Sequence, residues 1–239
     1  MAETAPLYEA VHARPDGEAT VARMARTADE HGYDGIVVRN HGDQQATYDA
    51  DEIGDAYDVD VVDGVEVRAD DRSRASGLVG NHRSRSTIVA VHGGSVAMNR
   101  FAVEQPAVDV LAHPMADDGD FNHVMAKAAA ANGVRLEFSL RNAIHETGGT
   151  RVRQIQALQR LRELVEHYDA PYVVSADPRS HLDVRSPREL IAIGETIGFS
   201  REQLETGLTE WGRLVERNRD RQSDSFVEPG VRLDSEPDS

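Results

Sequence analysis

Seven short runs rich in β-branched residues recur along this chain, and helical stretches separate most of them. That alternation restricts the fold more than any other feature. Strands joined through helical crossovers pair in parallel, and a parallel sheet needs apolar cover. The runs are residues 7–12, 35–40, 60–68, 87–92, 108–113, 134–139 and 171–177. The second, GIVVRN, is almost uninterruptedly apolar, as expected of a strand covered on both faces. Helical periodicity marks residues 19–31, where Val21, Met24, Ala25 and Ala28 share a face, and residues 151–168, where Ile155, Leu158, Leu161 and Val165 do. An alanine-rich segment stopped by Gly133 predicts another helix. Two more complete the pattern, one after Ser186-Pro187 and one from Ser200 towards Arg219. The expected fold class is α/β: a TIM-like (β/α) barrel, distorted because it has seven strands and not eight. Residues 1–223 are expected to form this single domain. Residues 224–239, polar and acidic with two prolines, are expected to be a disordered tail.

Composition narrows the setting. No run of eighteen or more apolar residues occurs, so no membrane span is expected, and the first residues lack the basic and apolar regions of a secretory signal. The absence of cysteine excludes disulfides, thiolate zinc sites and a cysteine nucleophile, and fits a cytoplasmic protein. Acidic residues number 42 against 26 basic ones, a formal charge of −16, and Lys127 is the only lysine. Regular strand and helix patterns argue against disorder as the cause. A carboxylate-rich, lysine-poor surface suits molar salt, where the Debye length is only about 3 Å and self-repulsion is screened. No broad basic footprint for nucleic acid is present. In high salt such a patch would give little affinity, so nucleic-acid binding would rest on particular arginines.

In a (β/α) barrel the functional face is built at the C-terminal strand ends. Those ends carry His12, the triplet Arg39-Asn40-His41, Glu66 with Arg68, His92, His113-Pro114, Glu137, and Asp177 followed by Arg179 and His181. Imidazoles and carboxylates converging on one mouth could bind zinc, manganese or iron for phosphoester hydrolysis. They could equally hydrogen-bond to one another around the mouth or face a partner. Arg141, Arg151, Arg153, Arg179 and Arg185 lie on or near loops of the same face. There they could fork onto phosphates, or pair with the abundant carboxylates. Trp211, near Leu204, Leu208 and Leu214 on a helical pattern, reads as core, and Gly93-Gly94 reads as a strand-to-helix turn.

The order His12, His41, Gly64-x-Glu66, His92, His113-Pro114, Asp177 resembles the polymerase-and-histidinol-phosphatase (PHP) superfamily, whose barrels bind two or three metal ions for phosphoester hydrolysis. Two positions depart from it. Ala10 stands first in the His-x-His motif, and Arg179 stands last in the Asp-x-His motif. A branch of that superfamily is more similar: the thirty-kilodalton protein subunit of ribonuclease P, the archaeal protein component 3 family. The likeness spans about residues 8–198 and is carried by YEAVHARPDGE, GYDGIVVRNH, VDGVEVRA, VDVLAHP, VRLEFSLRNAI, Gly148-Gly149-Thr150-Arg151 and VVSADPRSHLDVRSPREL. Arg185 belongs to the Arg-x-Pro part of that pattern. The resemblance implies a subunit of the ribonucleoprotein that removes the 5′ leader from precursor tRNA. The RNA subunit then carries the chemistry with magnesium, and this chain has no catalytic residue and binds no metal or cofactor of its own. Implied partners are the catalytic RNA, other protein subunits, especially protein component 2, and precursor tRNA as holoenzyme substrate. The rival reading is an autonomous metal-dependent phosphoesterase with His12, His41, Glu66, His92, His113 and Asp177 as ligands.

The charge balance makes a first prediction. Thermal melts in about 0.1 M and in molar potassium chloride should differ, with the lower Tm at low salt, because screening of the carboxylate surface changes between them. Coincident melts would refute the salt-adaptation reading.

Overall fold

The computed structural model describes residues 5–117, 120–223, 226–228 and 231–232. Within them the seven expected strands form one parallel sheet in chain order. They are β1 (Tyr8–Val11), β2 (Gly35–Val38), β3 (Asp60–Val67), β4 (Ile88–His92), β5 (Val110–Ala112), β6 (Arg135–Ser139) and β7 (Tyr172–Ser175). The strands are short and almost wholly buried because helices cover them outside and one another's side chains cover them inside. The sheet curls into a nearly closed TIM-like barrel. Helices α1 (Val21–Glu30), α5 (His123–Asn132), α7 (Gly148–Tyr168), α8 (Pro187–Ile197) and α9 (Arg201–Gln222) fall where the apolar periodicity placed them. Ser186 and Ser200 each close a capping box at the start of the last two.

Four helices carried no clear sequence signal: α2 (Ala50–Tyr57), α3 (Arg72–Arg83), α4 (Val96–Val103) and α6 (Arg141–His145). Three of them are only five to eight residues long, too short to show a repeating pattern. The fourth, α3, buries only Ala75 and Val79. Capping supplies what burial lacks, since Asp49 and Asp71 accept the first free backbone N–H groups of α2 and α3. Within the segment expected to be a tail, Phe226–Glu228 (β8) and Val231–Arg232 (β9) pair as an antiparallel ribbon. The rest of residues 224–239 lies outside the described residues.

Period-two alternation sorts each strand into an inward and an outward row. The inward rows of Tyr8, Ala10, Val37, Val62, Ile88, Ala90, Val110 and Val173 fill the barrel, and Trp211, Leu214 and Val215 of α9 join them. A missing eighth strand leaves the facing edges of β1 and β7 without a ladder, and buried backbone groups cannot stay unpaired cheaply. Side chains serve instead. Trp211 Nε1 donates to the Val174 carbonyl at 3.1 Å. Ser175 Oγ and the Ala176 amide donate to the Glu9 carboxylate. Above them the His12 amide donates to the Pro178 carbonyl at 3.0 Å.

Helix α9 can reach this seam only because it presents glycine there. A Cβ on Gly212 would lie 2.1 Å from the Pro6 carbonyl oxygen, and one on Gly207 would lie 2.6 Å from Val174. Gly212→Ala should therefore destabilise the chain by roughly 1–3 kcal/mol, the usual cost of forcing atoms into a packed site. Gly77→Ala in α3 is the contrast. A Cβ there meets nothing within 4 Å, so helix propensity alone should stabilise by about 0.5–1 kcal/mol. Denaturant unfolding of both variants checks the pair of signs.

Candidate functional site

Most inward rows end in a polar group at the C-terminal mouth, β5 with Val110 and Ala112 being the exception. Tyr8 and Ala10 lead to His12, Val37 to Arg39, Val62 and Gly64 to Glu66, Ile88 and Ala90 to His92, Val173 and Ser175 to Asp177. Glu137 of β6 joins from the far side. At the centre stands Arg39, fully buried. Its Nη2 donates to Glu137 Oε1 at 2.5 Å and to Asp177 Oδ1 at 3.0 Å, while Nη1 donates to Glu137 Oε2 at 3.1 Å. Nη1 also lies 3.2 Å from Glu66 Oε2. Below, the guanidinium carbon sits 5.7 Å from the centre of the Trp211 ring. One planar cation is thus shared by three buried carboxylates.

The imidazoles ring this centre, with successive centroids of His12, His41, His92 and His113 separated by 5.1, 5.7 and 4.9 Å. His12 Nδ1 meets Asp16 Oδ2 at 2.7 Å, and its Nε2 lies 3.3 Å from Asp177 and 3.5 Å from Glu66. Burial opposes charging His12, but these three acids outweigh it and push its pKa up to about 10. His12 is therefore an imidazolium at neutral pH. The acids move the other way. Burial would raise Glu66, yet Arg39 and the surrounding imidazoles hold it well below the usual carboxylate range, and Asp177 follows for the same reasons. Burial likewise pushes Glu137 up, opposed by Arg39, which donates to both of its oxygens. Glu9, wholly buried on β1, is pushed up to about 7 by desolvation despite four donors.

His41 is held differently. Arg68 Nη2 lies 2.7 Å from His41 Nε2, and since arginine only donates, Nε2 accepts and Nδ1–H faces Asp16 at 2.9 Å. His92 Nδ1 meets Glu66 Oε1 at 2.5 Å. His113 reaches the mouth by another route. Its φ of +50° is in the left-handed region, as is the +51° of Asp177, and its Nε2 stands 3.5 Å from Asp177 Oδ2.

All six sequence-predicted ligands, His12, His41, Glu66, His92, His113 and Asp177, are therefore together. Three members of the cluster were not in that set: Arg39, Asp16 and Glu137. Arg39 carried a legible signal, being two residues beyond inward Val37. Asp16 carried none, because it lies on a loop whose path only the fold defines.

The five arginines divide by partner. Arg141 donates to Asp183 at 2.9 Å and to the Asp177 carbonyl, and Arg179 stands 3.6 Å from Asp16. Arg185 donates to the Leu182 and Val184 carbonyls. Arg153 touches only the Thr150 hydroxyl, and the Arg151 side chain has no partner among the described residues. Both of these are exposed at the start of α7.

Two triads, His12–Asp16–His41 and His41–Glu66–His92, bring one ligand atom from each residue within 4.8 Å of one another, and several of these atoms are already engaged by neighbours. Asp16 is occupied by both His12 and His41, and Glu66, Glu137 and Asp177 already neutralise Arg39. Beside the cluster, the cavity against His113, Pro114, Glu137 and Ser139 has about 40 Å³, small for an organic substrate, whose sites run about 300–1,000 Å³.

Known proteins place this architecture. The family model described as RNase P subunit p30 matches residues 8–223. Ribonuclease P protein component 3 of Haloarcula marismortui is 65% identical over 97% of this chain and 99% of its own length. Among solved structures, a chain of an archaeal ribonuclease P with mature tRNA superposes with a TM-score of 0.81 at 21% identity, covering 97% of this chain and 100% of that one. A histidinol phosphate phosphatase from Lactococcus lactis, complexed with zinc, L-histidinol and phosphate, superposes with a TM-score of 0.53 at 13% identity over 82% of this chain and 95% of that one. At those identities the structural likeness is one of fold.

The buried cation makes a direct prediction. Arg39→Met keeps most of the length and removes the charge, leaving three carboxylates without it. The expected loss is about 3–5 kcal/mol, as for breaking a buried ion pair from one side. Arg26→Met, which removes an exposed pair with Glu30, should cost less than about 1 kcal/mol. Urea unfolding in molar potassium chloride separates the two.

Proposed function

The chain belongs to the RNase P subunit p30 family, and on that premise we propose that it serves as a protein subunit of ribonuclease P in tRNA 5′ maturation. The observation that carries this reading is the near full-length match: the 65% identical relative is named ribonuclease P protein component 3 and aligns over 97% of this chain. In our reading the RNA subunit performs the cleavage with its own magnesium. This barrel supports the RNA without contributing a catalytic residue or a cofactor. Partners are that RNA, other protein subunits with protein component 2 foremost, and precursor tRNA within the holoenzyme. The assembly works in the cytoplasm. No described helix is long and apolar enough to cross a membrane.

The mouth suits a support better than a catalyst, since its carboxylates are spent on Arg39 and its cavity admits little more than water. Contact with RNA then falls to arginines outside the cluster. Arg151 and Arg153 are the favoured pair because both are exposed and neither has a carboxylate partner among the described residues. Arg141, Arg179 and Arg185 are already engaged with protein oxygens and would have to exchange them for phosphate.

Reconstitution tests the proposal. Precursor-tRNA cleavage by the matching RNA subunit at limiting magnesium, with the other protein subunits, should rise when this chain is added, and the chain alone should cleave nothing. Lack of stimulation, with phosphoester hydrolysis by the isolated chain, would sink the reading. Arg151→Glu with Arg153→Glu should weaken RNA binding by roughly tenfold or more, given about 1.5–3 kcal/mol for a charge-assisted hydrogen bond, and leave thermal stability unchanged.

A further inference from the structure

We propose that the outward face of α3 docks against the phosphate backbone of a folded RNA, with Arg72, Arg74 and Arg85 as its cations and Ser73, Ser76, Asn81 and Ser84 as neutral donors. The inference rests on the ribonucleoprotein reading above and adds to it a surface separate from Arg151 and Arg153. Charge along the chain points to it first. Residues 72–103 carry Arg72, Arg74, Arg83, Arg85 and Arg100 but no aspartate or glutamate, the longest acid-free run in a chain with 42 acidic residues. Helix α3 opens that run.

Inward, α3 buries Ala75 and Val79. Outward, Ser73, Gly77 and Asn81 form one row at four-residue spacing, and Ser76, Gly80 and Ser84 form a second beside it. All six are exposed, and none is apolar or acidic. Exposed helix positions elsewhere carry acids, as Asp51, Glu52 and Asp55 do on α2 and Glu202, Glu205 and Glu216 on α9. A Cβ on Gly77 or Gly80 meets nothing within 4 Å, and neither takes a left-handed φ, so the fold itself has no use for glycine there. Serine, asparagine and glycine are also weaker helix formers than alanine or glutamate. A face that departs from both helix propensity and the acidic surface, with no return inside the chain, points to a partner.

Its chemistry selects RNA. The cores of protein–protein interfaces are apolar, and this face offers no apolar side chain. Nucleic-acid interfaces are polar and positive. Arg85 is exposed, with no hydrogen bond or ion pair among the described residues. Arg72 meets Glu104 at 3.1 Å and Arg74 stands 3.8 Å from Asp70, both at the surface, where such pairs are weak enough to exchange for phosphate. Asp71 is occupied in capping the helix, and Arg83 turns inward to Asp109. In molar salt counterion release adds little affinity. Hydroxyl and amide donors to phosphate, brought close by glycine, are the contacts that screening spares.

Two readouts in the reconstituted holoenzyme test the proposal. The chain has no cysteine, so Ser76→Cys can carry a tethered iron chelate that cuts nearby RNA through hydroxyl radicals. With the matching RNA subunit and the other proteins assembled, it should cut that RNA at a localised site. Thr196→Cys, exposed on α8 beyond β7, should not cut there. The second readout is the concentration of this chain that half-maximally stimulates precursor-tRNA cleavage. Gly77→Glu with Gly80→Glu should raise it roughly tenfold or more, because like charge set against phosphate opposes contact. Glutamate is the better helix former, so Tm in molar potassium chloride should not fall. Ala192→Glu with Thr196→Glu, the same charge change on exposed positions of α8, should titrate as wild type. If wild type gives no stimulation at all, the ribonucleoprotein reading fails and this inference with it. If wild type stimulates while the α3 pair titrates like it, or Ser76→Cys leaves the RNA uncut, the reading stands and the proposal is overturned. Weakened association with the other protein subunits, without local RNA cutting, overturns it too, since the face would then belong to a protein.

Discussion

One guanidinium organises the upper half of this barrel. Arg39 lies at zero exposure among three carboxylates delivered by strands on opposite sides of the sheet. Burying a single charge costs several kcal/mol, and burying three like charges together is prohibitive without compensation. Neither Arg39 nor the acid set could stay inside alone. The charges are tolerable only jointly, and the joint requirement fixes where β2, β3, β6 and the end of β7 sit relative to one another. His12 adds a second cation because the same acids hold its proton through neutral pH.

Beneath that layer the barrel solves a different problem. Seven strands leave an open seam between β1 and β7, and the seam is closed by side chains in place of a ladder. Trp211 is both a plug and a donor: its ring fills the base of the barrel under Arg39 while its indole nitrogen satisfies a carbonyl of β7. Glu9 does the same for the next two residues along that edge. Their dependence on α9 makes the last helix part of the barrel and not an appendage. It is held at its far end by Arg219, which forks onto Asp60 at the start of β3.

At the mouth, imidazoles, carboxylates and Arg39 are paired with one another. In the function proposed above, that leaves residues on the surrounding loops to meet RNA and protein partners. The surface charge belongs to the same account. With −16 overall, long-range attraction to a polyanion is unfavourable in sign, and in molar salt it is screened.

The sequence by itself determined the fold class and the positions of the seven strands, because hydrophobic period and strand length are local properties that each segment expresses alone. It also located His12, Glu66, His92, Glu137 and Asp177 at strand ends, since in a parallel barrel chain direction alone says which end is functional. It did not reveal helices such as α2, whose eight residues are too few to show a repeating apolar period. Nor did it assign Arg39 and Asp16 their roles, although it placed Trp211 in the core. Only the tertiary structure decided that an arginine just beyond β2 would stand between acids 27, 98 and 138 residues away along the chain. Whether a carboxylate faces a metal, a proton or a guanidinium depends on which opposite charge the fold brings within about 3 Å, a short-range fact that no single segment contains.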